Sequence, residues 1–210
     1  MRINLNGPIL TALSRIFDTI LVTLLYLLCC LPVVTIGAAT TAMYATMIAL
    51  LDDGCTGVAS HFFGAFRENF KLSTAMLLPA VLVGLVVMAD IVICWGFSME
   101  ATMILAVMRG LTVFSTGLYT AMCIYVFAGI AVYRVTWKQA ITNALQWTVK
   151  KLPGTLGLLL VCIGMALSVA LLWYFCFPVI ALGLYLQALL LRKIFELESI
   201  PEHHEEEIEY

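Results

Sequence analysis

The sequence predicts an all-α protein, a polytopic transmembrane helix bundle of about six (five to six) membrane spans. The spans read as three hairpins with interfacial amphipathic helices on the cytoplasmic side. Three observations carry this. Of 210 residues, 63% are hydrophobic and 11% charged, against about 45–50% and about 25% in soluble domains. Runs close to 20 apolar residues recur, the length that a bilayer core of about 30 Å asks of a helix. These runs lack the alternation of a barrel strand. Finally, ten of the 11 Lys and Arg residues flank the runs on one shared side: Arg2, Arg15, Arg67, Lys71, Arg134, Lys138, Lys150, Lys151, Arg192 and Lys193. The positive-inside rule makes that side cytoplasmic; Arg109 is the exception. Residues 1–199 therefore form a single membrane domain, followed by an acidic cytoplasmic tail at 200–210. So little polar sequence is left over that no separate soluble catalytic domain fits.

The first hairpin, at about 16–51, is organised around Leu27–Gly37. Before it, Ile3, Leu5, Ile9, Leu10 and Leu13 alternate with Arg2, Asn4 and Asn6, as in an interfacial amphipathic segment. A cleaved signal peptide is the competing reading, but the apolar sequence runs on from Ile16 to Leu51. Pro32 removes a backbone donor and biases Leu31 away from helix. This predicts two helices, about 18–33 and 36–51, meeting near Pro32–Gly37. A single kinked helix is the alternative. A near copy of the break returns late in the chain. Cys30, Pro32, Val33 and Gly37 recur as Cys176, Pro178, Val179 and Gly183, at a constant offset of 146. Such an internal repeat hints at pseudo-symmetric halves.

An interfacial helix is expected over about 58–71, where Val58, Phe62, Phe63, Phe66 and Phe70 recur at helical spacing against Ser60, His61, Arg67, Glu68 and Lys71. Its Phe side should insert shallowly and its cations favour anionic lipid. The second hairpin, about 72–133, is expected to kink at Pro79 and has a short link, Ser98-Met99-Glu100, free of Lys and Arg as an outside loop should be. Asp90 and Arg109 flank that link at nine and ten residues from Met99, so an antiparallel pairing puts them at similar depth. A charge inside an apolar span is usually paired or functional. An ion pair fixing the hairpin is the leading reading; a proton or ion pathway and two snorkelling charges are the others.

Residues 134–152 repeat the amphipathic theme, with Trp137 and Trp147 suited to the interface. The third hairpin, about 155–193, carries the second break copy and closes on Arg192-Lys193. The tail, with His203-His204 among glutamates, reads as solvated.

The search for chemistry is negative. Seven cysteines include no CxxC pair and six lie in expected spans, where a thiol acts as a small apolar group. Cys55, near the cytoplasmic surface, is a plain loop cysteine or an acylation site. No Walker loop, GxGxxG, HExxH or GxSxG pattern occurs. No catalytic, cofactor or metal site is read, no nucleic-acid partner is expected, and the lipid bilayer is the partner that composition implies.

Arg15-Ile16-Phe17-Asp18 leading into Leu28-Cys29-Cys30-Leu31-Pro32-Val33-Val34-Thr35-Ile36-Gly37-Ala38-Ala39-Thr40-Thr41-Ala42 resembles the opening signature of the YesL-like family of bacterial integral membrane proteins, a domain of unknown function. Phe62-Phe63-Gly64-Ala65-Phe66-Arg67-Glu68-Asn69-Phe70-Lys71 resembles that family's cytoplasmic segment. The resemblance implies a multi-pass protein of the bacterial plasma membrane, with both termini expected in the cytoplasm. It also implies a genomic setting beside sugar uptake and polysaccharide degradation. No family-wide catalytic residues come with it. Two functions are carried forward. One is an accessory protein of carbohydrate uptake, with sugar ABC-transporter permease subunits or a second copy of itself as partner. The other is a small solute or ion transporter using the repeated Pro/Gly-broken hairpins.

Overall fold

Helix formation stops where the sequence places Cys30–Pro32 and resumes four residues later. The structure is a computed structural model that describes residues 8–52, 57–96, 103–133, 136–171 and 176–196. In chain order it holds α1 (Pro8–Cys29), a 3-10 turn (Val33–Thr35), α2 (Ile36–Leu51), α3 (Val58–Gly96), α4 (Met103–Val132), α5 (Trp137–Lys150), α6 (Leu152–Leu171) and α7 (Cys176–Glu196). No strand occurs among the described residues. The acidic tail, the Ser98–Glu100 link, Cys55, Arg134 and the first seven residues lie outside them. Four helices or helix stretches are long and apolar enough to cross a membrane: Val33–Leu51, Val58–Gly96, Leu105–Val132 and Phe177–Phe195. Counting the bent pair α5–α6 as one more gives five. The chain is an all-α polytopic bundle.

The centre of the bundle is α2. Its first turns bury Gly37, Ala38, Ala39, Thr41 and Ala42, and Met43, Tyr44, Met47 and Leu51 continue the core. Small residues let neighbouring backbones approach closely, which is how helices gain contact where lipid removes the hydrophobic drive. Gly37 shows the limit: a methyl group there would stand 2.6 Å from the Ser73 carbonyl oxygen and 3.2 Å from the Phe127 ring. Thus α2 is held between α3 and α4 at that point.

Helix α3 corrects the sequence reading. The expected interfacial helix at 58–71 and the span that follows are one helix of 39 residues, roughly 58 Å long. Nothing between Phe70 and Leu72 interrupts helical hydrogen bonding, and Pro79 is accommodated within the helix, as membrane helices allow. The contacts Gly37–Ser73, Thr41–Ser73 and Thr46–His61 run α3's first half antiparallel along α2. Phe62 is therefore fully buried in the protein core, whereas Phe63 is exposed. The Phe face meets α2 before it can meet lipid. Beyond Pro79, α3 pairs with α4, and Tyr119 Oη donates to the Ala80 carbonyl at 2.8 Å.

A capping box starts α5, with the Thr136 backbone N–H donating to Gln139 Oε1 at 3.0 Å. The helix then meets α6 at 97°, the attitude of a helix lying across the ends of others. Its small face, Ala140 and Ala144, is buried, and Trp137 is exposed. Trp147 departs from the expected interface position. It is buried in an aromatic group, 5.8 Å from the Tyr133 ring and 5.0 Å from that of Phe195. Both helix ends nearby are tied in as well: the Lys151 ammonium donates to the Ile194 carbonyl, a cation at a helix C-terminus.

Candidate functional site

Three features could carry function, and each is built from residues that the sequence singles out. The first is the break itself. Pro32 adopts an extended conformation (φ −79°, ψ 123°), as a residue without an N–H ending one helix must. Thr35 closes the turn, its hydroxyl lying 2.6 Å from the Cys29 carbonyl oxygen and 2.7 Å from that of Pro32. Two carbonyls orphaned by the end of α1 thus converge on one side chain, which matters where no water is at hand. The tip exposes Leu31, Val33 and Val34.

The second copy behaves differently. Cys176 begins α7 and Pro178 sits in its first turn, a position that needs no donor. Only the glycines keep a shared role. Gly183 is buried against Met165 of α6, where a methyl group would overlap the sulfur, much as Gly37 is buried against α3. The first copy nonetheless leads into α2 and the second opens α7, and these two helices are joined. Tyr44 Oη donates to Gln187 Oε1 at 2.9 Å, and Arg192 reaches the Leu51 carbonyl at 3.1 Å and the Asp52 carboxylate at 2.8 Å. These contacts make α2 and α7 parallel, at separations of 143, 141 and 140 residues, short of the repeat offset of 146. Gln187 continues from Tyr44 to the Cys162 sulfur at 3.2 Å on α6. No sequence signal marks this polar line; an isolated Gln in an apolar run was its one trace.

The third feature is the pair Asp90 and Arg109. They lie on adjacent helices but do not hold each other, and no ion pair between them occurs among the described residues. Asp90 accepts from the Thr112 hydroxyl at 3.1 Å, with the Cys94 thiol at 3.8 Å. Arg109 Nε donates to the Cys94 carbonyl at 3.2 Å, and its guanidinium lies 5.5 Å from the centre of the Trp95 ring. Arg109 is therefore opposite residues 94–95, one helical turn, about 6 Å, from the level of Asp90. The reason is register: Asp90 faces Thr112 and Cys94 faces Arg109, so positions on α3 and α4 do not pair symmetrically about Met99. The result is two charges with separate partners, and Cys94 touches both.

Beside this cluster runs a groove of about 700 Å³. Its walls are α4 (Thr112 to Thr120) and α6 (Leu152 to Ala166), with Trp95 of α3 at one end and Thr148 of α5 at the other. The threonines in its wall do not offer free hydroxyls. Thr116 donates to the Thr112 carbonyl and Thr120 to that of Thr116, each at 2.8 Å; Thr148 donates to Ala144 at 2.7 Å. Turned back on their own helices, they present methyl groups. Among the described residues no three His, Cys, Asp or Glu side chains gather as metal ligands would.

No curated protein and no solved structure matches the chain. A family model described as a protein of unknown function, DUF624, matches residues 19–91. That segment holds the second half of α1, the capped break, α2 and α3 as far as the residue after Asp90, so it contains the Pro32–Gly37 apex on which the resemblance to the YesL-like proteins rests. Over residues 19–91, about a third of its length, the chain is similar to the DUF624 family.

Proposed function

We propose that this is an accessory membrane protein that works through contact with partner helices, in the setting of bacterial carbohydrate uptake that the family resemblance implies. It catalyses no reaction and carries no polar solute of its own. The observation that supports the reading is the lining of the α4–α6 groove, where threonines bond to their own helices. A site for a sugar or an ion needs convergent, unspent donors and acceptors. A broad apolar face on α3, with Leu78, Leu82, Leu85 and Val86 well exposed, leaves room for neighbouring helices as well as lipid.

The test is purification in mild detergent from a host grown on complex polysaccharide, followed by identification of co-purifying chains. A stoichiometric permease is the expected result. Sugar or ion flux by the isolated chain in proteoliposomes overturns the reading in favour of the transporter. That second reading draws on one observation, the Asp90–Cys94–Thr112 cluster inside α3 and α4. Replacing Asp90 and Arg109 together by apolar residues abolishes flux in a transporter and leaves partner capture intact in an accessory protein.

We place the chain in the bacterial plasma membrane with both termini in the cytoplasm, on the strength of its ten one-sided basic residues. An impermeant maleimide should label Glu100→Cys from outside and leave Ser199→Cys protected; the reverse pattern refutes this orientation.

A further inference from the structure

We propose that the α4–α6 groove is a phospholipid site. It takes one acyl chain along its length and holds the phosphate of an anionic headgroup on Arg109. This goes beyond the accessory reading and does not rest on it.

Shape and chemistry argue for the tail. The wall formed by α6 spans 15 residues, Leu152 to Ala166, about 21 Å of helix. That exceeds one leaflet of a core about 30 Å thick. Four of its lining residues, Phe114, Leu152, Leu156 and Ile163, are exposed apolar side chains, so the groove reaches the surface of the bundle. With the threonine hydroxyls spent on partners within the protein, a long apolar occupant suits the groove and a polar one does not.

Charge complementarity argues for the head. Trp95 forms one end of the groove, and the Arg109 guanidinium lies against its ring. Only Nε of that guanidinium is engaged, by the Cys94 carbonyl; its terminal nitrogens have no partner among the described residues. Arg109 is also the one cation that the positive-inside pattern leaves on the opposite side, so its place is not explained by orientation. A tryptophan at this end fits the interface, where headgroups lie. The carboxylate of Asp90 is a turn away and occupied by Thr112 and Cys94. Arg is suited to bidentate binding of phosphate.

The test is native mass spectrometry of the full chain, purified in mild detergent and equilibrated with mixed micelles containing either phosphatidylglycerol or phosphatidylethanolamine. The expected result is one phosphatidylglycerol retained per chain, in preference to phosphatidylethanolamine. Arg109→Gln should weaken that retention about tenfold and erase the preference, with Arg109→Lys partly restoring it. Gly117→Leu, which fills the groove while leaving Arg109 in place, should lower retention of both lipids. Val86→Leu, on the exposed face of α3, should change neither. Monodisperse elution and unchanged helical content qualify each variant for comparison. No retained lipid in the parent chain, or retention indifferent to Gly117→Leu, overturns the site. Loss on Lys150→Gln in place of Arg109→Gln overturns the headgroup assignment.

Discussion

The Tyr44 hydroxyl donates to the Gln187 amide oxygen at 2.9 Å across 143 residues of chain, joining α2 to α7, the helix that carries the second copy of the repeated motif. Both groups are buried, and the amide nitrogen is spent on Cys162. Tyr44→Phe and Gln187→Leu should each destabilise the fold by about 0.5–1.5 kcal/mol. A double-mutant cycle should return a coupling near 0.6 kcal/mol, typical of hydrogen bonds between membrane helices. Thermal unfolding in detergent, followed by size-exclusion fluorescence, reads both. Full additivity would mean that the two helices do not depend on this bond.

Gly37→Ala should cost about 1–3 kcal/mol, because the added methyl meets the Ser73 backbone 2.6 Å away and a backbone carbonyl cannot swing aside. Gly64 is the control in the same segment: nothing lies within 4 Å of its would-be Cβ. Gly64→Ala should be neutral or stabilising through helix propensity. A comparison of melting temperatures checks the pair, and equal effects would disprove the close approach of α2 and α3.

Thr35→Val keeps the shape of the side chain and removes the hydroxyl that serves the Cys29 and Pro32 carbonyls. We expect a loss of about 1–3 kcal/mol from stranding those groups, largely restored by Thr35→Ser. Protease susceptibility at the tip should rise in the valine variant alone.

Asp90 and Arg109 should couple only weakly. They share Cys94 but do not hold each other, so a cycle of Asp90→Asn and Arg109→Gln should show coupling of no more than about 1 kcal/mol. A directly paired buried couple would lose about 3–5 kcal/mol on removal of one member and recover part of it on removal of both. Stability of the four proteins in one detergent decides between the two.

The ion pair Arg192–Asp52 is 2.8 Å long, with side chains 35% and 50% exposed. Exposure of that order screens the attraction, so Asp52→Asn should cost no more than about 1 kcal/mol. The cost should shrink as salt is raised. A large, salt-independent loss would show that the pair is shielded in the membrane-bound protein.

What was legible in the sequence followed from local rules. Pro32 and the residues around it mark the end of α1 because proline acts within its own turn. The amphipathic pattern of 137–150 gives α5, and its capping residues Thr136 and Gln139 stand at the expected spacing. The misread positions depend on what lies opposite. Phe62 and Phe66 have the period of an apolar face, but that period is the same whether the face meets α2 or lipid. Trp147 has the side chain of an interface residue and the location of a core one, because α5 turns it toward Tyr133 and Phe195. The level of Arg109 hung on where the α3–α4 turn is centred, a quantity that spacing along one helix does not contain. The groove is legible only afterwards, since its walls come from helices some 40 residues apart whose facing side chains no single periodicity relates.

The parallel pairing of α2 with α7 also dictates an order of assembly. The ribosome delivers Tyr44, Leu51 and Asp52 long before Gln187 and Arg192 exist, so the N-terminal hairpin waits in the membrane with its tyrosine hydroxyl unmated. A chain cut short before α7 would hold that waiting state indefinitely, with a buried polar group and the small-residue surface of α2 open to strangers. For such a fragment, recognition by membrane quality control is the physical expectation, and the last helix to emerge is the one that ends the vulnerability.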